Sequence, residues 1–193
     1  MTTVSVDLGR LLGAVSPRLY SGPGSVISEL LQNSQRAGAG RVEMTVCRGD
    51  KWDDVRWVEL RDDGCGLSDP SALLDVARSD WGALDDDEDE PFGMGFWSTA
   101  AVADLVVVES RRWRVRVDAL RLRSALSLDG VVEVSEGPEG DEVPGFRVRL
   151  SGSGDAWRES ALLFESAFRD LVRYMPFESA ASRSWDCVGL FSV

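Results

Sequence analysis

The residues with chemical potential fall in three short stretches. In "SVISELLQNSQRA" (25–37), Glu29, Asn33 and Arg36 recur at i, i+4 and i+7, so on a helix they share one polar face. In "WVELRDDGCGL" (57–67), an alternating strand pattern runs into Asp62 and Asp63 and then into Gly64 and Gly66. A single Asp-Gly there would read as a hairpin turn. Two glycines one residue apart also let the backbone come very close to another group. In "FGMGFWSTAAVA" (92–103), Gly93-Met94-Gly95-Phe96 opens an apolar helix, whose first N–H groups and dipole suit an anion.

The chain contains no His, which excludes a Ser-His-Asp triad, His metal ligands and an autophosphorylated His within it. Any general base must be a carboxylate, the single lysine Lys51, or a water. No GxxxxGK[ST] occurs, so a P-loop is not expected. Cys47, Cys65 and Cys187 are odd in number and widely spaced, which argues against a zinc site and a disulfide framework. Cys65 reads as a small packed residue.

Other elements must position these groups. Val26, Ile27, Leu30 and Leu31 form the apolar face of the first of the three stretches, and Gly38 stops that helix. An earlier helical pattern covers Leu8 to Val15. "RVEMTVC" (41–47) and "DVRWVELR" (54–61) alternate like paired strands joined around Gly49-Asp50. Asp69 to Arg78 reads as helix, and an acidic, Gly-containing loop (about 80–91) lies just before the Gly-x-Gly, placed to move over it. Strands follow at 104–110, 112–119, 131–136 and 146–152, with Gly137 to Gly145 as a hairpin loop. A helix from Glu159 to Met175 and a last strand at 187–193 complete the pattern. Arg112, Arg114 and Arg116 alternate with apolar residues and read as the wet face of a strand. The expected fold class is α+β, a two-layer α/β sandwich with a mixed, mostly antiparallel sheet and helices on one face.

At 193 residues the chain is expected to form a single domain (1–193), with its core over about 11–178 and an extension or the start of a following region at 179–193. Apolar residues make up 44% and charged residues 28%, an ordinary globular balance. No apolar run is long enough to span a bilayer, and the first residues do not resemble a signal peptide, so a cytoplasmic location without membrane contact is expected. A net charge of −12 makes nucleic-acid binding an unlikely expectation. Asp85 to Glu90 carry much of that charge.

Taken singly, these stretches would pass as a helix surface, a turn and a helix start. In order, they resemble the GHKL superfamily of ATPases: gyrase, the ninety-kilodalton heat-shock chaperone, histidine kinases and the mismatch-repair ATPase. Glu29-x-x-x-Asn33, Asp62-x-Gly64-x-Gly66 and Gly93-x-Gly95 look like that superfamily's three boxes. "LYS" (19–21), "ARS" (77–79), "FGMGFWSTAAVADLVVV" (92–108) and "FRDLVRYMPFE" (168–178) are most similar to the chaperone's N-terminal domain, whereas "AGAGRVEMTV" looks more like the mismatch-repair branch. The resemblance covers about residues 11 to 178 and implies a Bergerat fold.

It also implies cofactors, ATP and Mg²⁺, and a role for each matching residue. Asp62 would accept a hydrogen bond from the adenine amino group, and Gly64 and Gly66 would let the base lie close to backbone. Asn33 would hold Mg²⁺ through its amide oxygen. Glu29 would act as general base on water. The backbone of Gly93, Met94, Gly95 and Phe96 would cradle the phosphates. The implied function is a chaperone-like ATPase, weak in isolation, that converts ATP/ADP exchange and loop closure into contacts with a protein partner or a nucleotide-dependent homodimer. Its alternatives are a protein kinase of the anti-sigma or histidine-kinase branch and a non-hydrolysing nucleotide- or protein-binding module. Two departures stand out. Arg36 takes the place of an Asp in the chaperone and mismatch-repair sequences, and Gly145-Phe146 stands where the chaperone has Gly-Thr.

Overall fold

Alternating residues along the strands bury one sheet face beneath two amphipathic helices, and this decides the architecture. The computed structural model describes residues 22–51, 54–74, 96–123, 129–137 and 143–176, together with the backbone of 178–185. Helix α1 (Pro23–Arg36) starts on a proline, which suits the first helical turn, and buries Val26, Ile27, Leu30, Leu31 and Ser34. Its end is a Schellman motif: Ala39 N–H bonds to Ser34 C=O at 3.0 Å and Gly38 N–H to Gln35 C=O at 3.0 Å. Gly38 supplies the left-handed φ of 70° that this motif needs.

Strands β1 (Arg41–Arg48) and β2 (Val55–Asp62) form an antiparallel hairpin in which Val42 opposes Asp62. After a four-residue helix α2 (Ser71–Leu74) and a five-residue helix α3 (Ser98–Val102) come β3 (Leu105–Arg111) and β4 (Trp113–Asp118). A short α4 (Ala119–Leu122), capped by Asp118 accepting from Arg121 N–H, leads to β5 (Val132–Glu136) and β6 (Val143–Ser151). Helix α5 (Gly154–Leu171) and a 3-10 turn (Val172–Tyr174) precede β7 (Glu178–Trp185). The seven strands lie in the order β5-β4-β3-β6-β2-β1-β7. Every pairing is antiparallel except β1 with β7, which is parallel.

In α5, Trp157, Ala161, Phe164 and Phe168 recur at helical spacing and are buried against α1 and the sheet. Burying each large side chain contributes about 1.5–3 kcal/mol. Trp157 also donates its indole N–H to Val55 C=O at 2.7 Å, fixing α5 on β2. Gly152 is glycine because a Cβ there would meet the Trp157 ring at 2.8 Å. A buried ion pair, Arg48 with Glu165 at 3.3 Å, adds a second link from β1 to α5.

The two-layer α+β sandwich is therefore the fold observed, with differences in detail. Strand β6 begins at Val143, so Pro144 and Gly145 belong to a strand rather than a hairpin loop. Pro144 is accommodated because the pairing with β3 shifts register between Ser110 and Arg111, leaving no ladder bond for it to donate. Helix α5 starts at Gly154 rather than at Glu159, and α4 was not signalled by any periodicity. An edge strand lies at 178–185, where an extension was expected. The expected helix at 8–15, the acidic loop and the strand at 187–193 lie outside the described residues. No helix among the described residues is long and apolar enough to cross a membrane.

Candidate functional site

Asp62 is the last residue of β2 and is only 3% exposed. Its Oδ2 lies 2.8 Å from the Ser34 hydroxyl of α1, and its Oδ1 accepts the Gly64 N–H at 2.9 Å. Burial pushes its pKa up from the usual carboxylate value; the Ser34 hydroxyl and the N–H groups of Gly64 and Phe146 oppose this, and neighbouring Asp63 adds to it. A buried carboxylate with two oxygens keeps acceptor capacity beyond these bonds. It can therefore take a further donor, such as an amino group.

The adjoining acid has a different job. Asp63 is exposed, and its Oδ1 accepts the N–H groups of Gly40 and Arg41, each at 2.8 Å. Those bonds, led by Arg41, hold its carboxyl below the usual range. Asp63 thus ties the α1–β1 turn to the end of β2.

The 63–68 loop is held from three sides. Cys65 N–H bonds to Ala37 C=O at 2.9 Å, attaching the loop to the end of α1. Ser110, fully buried on β3, accepts Leu67 N–H at 2.8 Å and donates to Gly145 C=O at 2.5 Å. Arg111 chelates Cys65 C=O through Nε and Nη2 at 3.0 and 2.9 Å, and Trp113 donates to Ser68 C=O at 3.2 Å. Arg111 is the one non-glycine with positive φ among the described residues, at 52°. That strain persists because the guanidinium is anchored.

Packing of the protein on itself already demands both glycines of the loop. A Cβ on Gly64 would meet Ala37 Cβ at 2.8 Å, and one on Gly66 would meet Gly145 O at 2.6 Å and Ser110 Oγ at 2.7 Å. Gly66 also has a left-handed φ of 66°. Gly145, with φ 69°, lies so close to the Asp62 carbonyl that no side chain fits.

Glu29 and Asn33 are half-buried on α1, and among the described residues neither side chain makes a hydrogen bond or ion pair. Ser34, which bonds to Asp62, directly follows Asn33 in α1, and Glu29 lies about 6 Å from Asn33 along the helix axis. Asn33 and Glu29 thus follow one another along α1, which Ser34 joins to Asp62 at the end of β2. Gly93, Met94 and Gly95 lie outside the described residues. Phe96 is buried, with its ring edge-on to Trp97 and its carbonyl accepting the Thr99 hydroxyl at 2.6 Å, so only its backbone N–H is suited to a ligand. The helix that follows is only five residues long.

Other expectations resolve simply. Arg114 and Arg116 are exposed on β4 and pair with Glu109 and Glu133, as a wet strand face should, whereas Arg112, paired with Glu136, lies in the turn between β3 and β4. Cys65 is exposed rather than packed, because its backbone carries the loop contacts and its side chain is left outside. Among the described residues no three His, Cys, Asp or Glu could hold a metal ion. One amide oxygen from Asn33 fits a Mg²⁺ ion that takes its other ligands from phosphate and water. Ser34, Ser110 and Arg111 were not singled out from the sequence. The Ser directly after Asn33, on the buried face of α1, was the one available signal.

No family model matches the chain. It is 30% identical over 161 residues to the DNA mismatch repair protein MutL of Mesorhizobium japonicum, covering 83% of this chain and 23% of that protein. It is 31% identical over 139 residues to that of Rhizorhabdus wittichii (67% and 21%), and 32% identical over 108 residues to that of Heliobacterium modesticaldum (50% and 16%). The chain thus spans less than a quarter of the length of these relatives. The similarities support the GHKL ATPase superfamily for this chain. They do not support the chaperone-like assignment, nor the expectation from net charge that nucleic-acid binding is unlikely, since the relatives are by name DNA mismatch repair proteins.

Proposed function

We propose that the chain is an ATP-binding domain of the GHKL type, acting as a nucleotide-driven module related to part of the DNA mismatch repair protein MutL rather than as a chaperone. The observation that carries this reading is Asp62: a buried carboxylate, braced by Ser34 and Gly64, with acceptor capacity left for an exocyclic amino group. Asn33 and Glu29, uncommitted and in sequence along the adjoining helix, support an order of base, phosphates and attacked water. Mg²⁺ would neutralise phosphate charge when bound; Asn33 would hold it through its amide oxygen. Glu29 would orient and deprotonate a water, and the backbone of 93–96 would contribute N–H donors to the phosphates. Glu29 has no orienting partner among the described residues, which favours slow turnover or binding alone until a partner polypeptide or a further domain completes the site. A homodimer that forms with nucleotide, and a role beside DNA, belong to the same proposal.

Titration calorimetry with ATP and Mg²⁺ tests it. Binding on the order of −8 kcal/mol, a micromolar Kd, is expected for the wild type and is expected to vanish in Asp62→Asn. Failure of the wild type to bind, or equal binding by the variant, sinks the reading.

A further inference from the structure

We propose that Arg36 is a phosphate ligand supplied in cis by α1, so that a nucleotide is held at its anionic part by a guanidinium as well as by a metal. This rests on the ATP-binding reading and specifies how that site meets a polyanion.

The site is otherwise acidic. Glu29 lies on α1, Asp62 and Asp63 stand at and just after the end of β2, and the chain carries a net charge of −12. Arg36 is the only basic residue of α1. It sits three residues after Asn33, about 4.5 Å along the axis and on the same polar face. Helical side chains lean toward the N-terminus, so a long side chain at 36 covers the turn that carries Asn33.

The arginine is exposed, and among the described residues it makes no ion pair or hydrogen bond. Neighbouring cations are committed: Arg41 pairs with Glu43 at 2.5 Å, and Arg111 chelates Cys65 C=O. Arg61 precedes Asp62 on β2 and therefore points to the opposite face of the sheet. Lys51 lies in the turn at the far end of the β1–β2 hairpin.

Capping does not account for Arg36. A cation in a last turn gains about 0.3–1 kcal/mol from the helix dipole. The carbonyls it would bond are already taken, however: Asn33 by Ala37 N–H, Ser34 by Ala39 N–H, Gln35 by Gly38 N–H and Ala37 by Cys65 N–H. What remains is a free guanidinium, whose fork of donors suits phosphate oxygens.

The test is calorimetric titration of the full chain with ATP and with adenosine, each in Mg²⁺ and in EDTA. Wild type, Arg36→Ala, Arg36→Lys and Asp62→Asn are compared, with circular dichroism to confirm folding. Arg36→Ala is expected to weaken ATP binding about ten-fold, most visibly in EDTA, and to leave adenosine unchanged. Arg36→Lys should recover part of the loss. Equal ATP affinity for wild type and Arg36→Ala, or parallel losses for ATP and adenosine, overturns the role of Arg36 while adenosine binding sensitive to Asp62→Asn keeps the nucleotide reading. Absence of ATP and adenosine binding in the wild type overturns both.

Discussion

The Ser34 hydroxyl lies 2.8 Å from Asp62 Oδ2 and 3.0 Å from Leu30 C=O, yet it has one proton to give. An ionised Asp62 can only accept, so it claims that proton. A protonated Asp62 can donate to Ser34 Oγ, which then turns its own proton to Leu30. The state of one buried carboxyl is therefore coupled to the last turns of α1, the helix that carries Asn33 and Glu29. Hydrogen bonds to charged groups contribute about 1.5–3 kcal/mol. Ser34→Ala should lower the free energy of unfolding at neutral pH by about 2 kcal/mol. A double-mutant cycle with Asp62→Asn, read by urea denaturation, checks it: strictly additive losses would mean that the pair is not coupled.

The pH dependence of binding follows from the raised pKa of Asp62. The ionised form is the stronger acceptor of an amino proton, so adenosine affinity should fall as the pH drops through the folded-state value, which lies above 3.8. Stability moves the other way. A carboxyl that holds its proton more tightly when folded contributes most below its unfolded pKa, and that contribution is lost as the pH rises through the folded value. Wild type and Asp62→Asn should therefore diverge in urea stability above pH 3.8, with the wild type losing ground as the pH rises. Parallel curves would contradict this assignment.

Asp63 behaves oppositely. Its lowered pKa means that its contribution is present above 3.8 and is lost as the pH falls through the folded value. Asp63→Ala should cost about 1 kcal/mol, kept small because the freed N–H groups can reach water. Hydrogen exchange provides the local check: the amides of Gly40 and Arg41 should lose protection while those of β3 keep theirs.

Much of this was legible in the residues because several signals agreed. Helix α1 combined a 3.6-residue apolar period with a C-terminal glycine, although it starts at Pro23 rather than at Ser25, and β1 and β2 alternated cleanly around a turn. Asp62 was recognisable from its place at a strand end before paired glycines. The loop's supports were not legible. Ser110 and Arg111 lie 35 to 46 residues from the atoms they bind, and no local pattern reports such a contact. The start of β6 was missed because Pro144 and Gly145 signal a turn locally, whereas a register shift and a tight crossing over Asp62 accommodate both. Phe146 pairs with Asp62 and with Ser110 across β6, so its side chain answers to the sheet rather than to any motif.

Two glycines separate backbone conformation from close packing. Gly38 and Gly66 share a left-handed φ, 70° and 66°, but a Cβ at 38 meets nothing within 4 Å, while at 66 it meets Gly145 O at 2.6 Å and Ser110 Oγ at 2.7 Å. Gly38→Ala should therefore cost only the dihedral penalty, about 1–2 kcal/mol. Gly66→Ala adds overpacking of about 1–3 kcal/mol, because a carbonyl and a fully buried hydroxyl must move. The displaced Ser110 would also release Leu67 and Gly145, loosening the loop beside Asp62. Gly66→Ala should thus be the less stable variant and should weaken adenosine binding, whereas Gly38→Ala should leave the affinity unchanged. Urea denaturation and titration of both variants check this, and equal stability for the two would show that the loop yields more easily than its contacts imply.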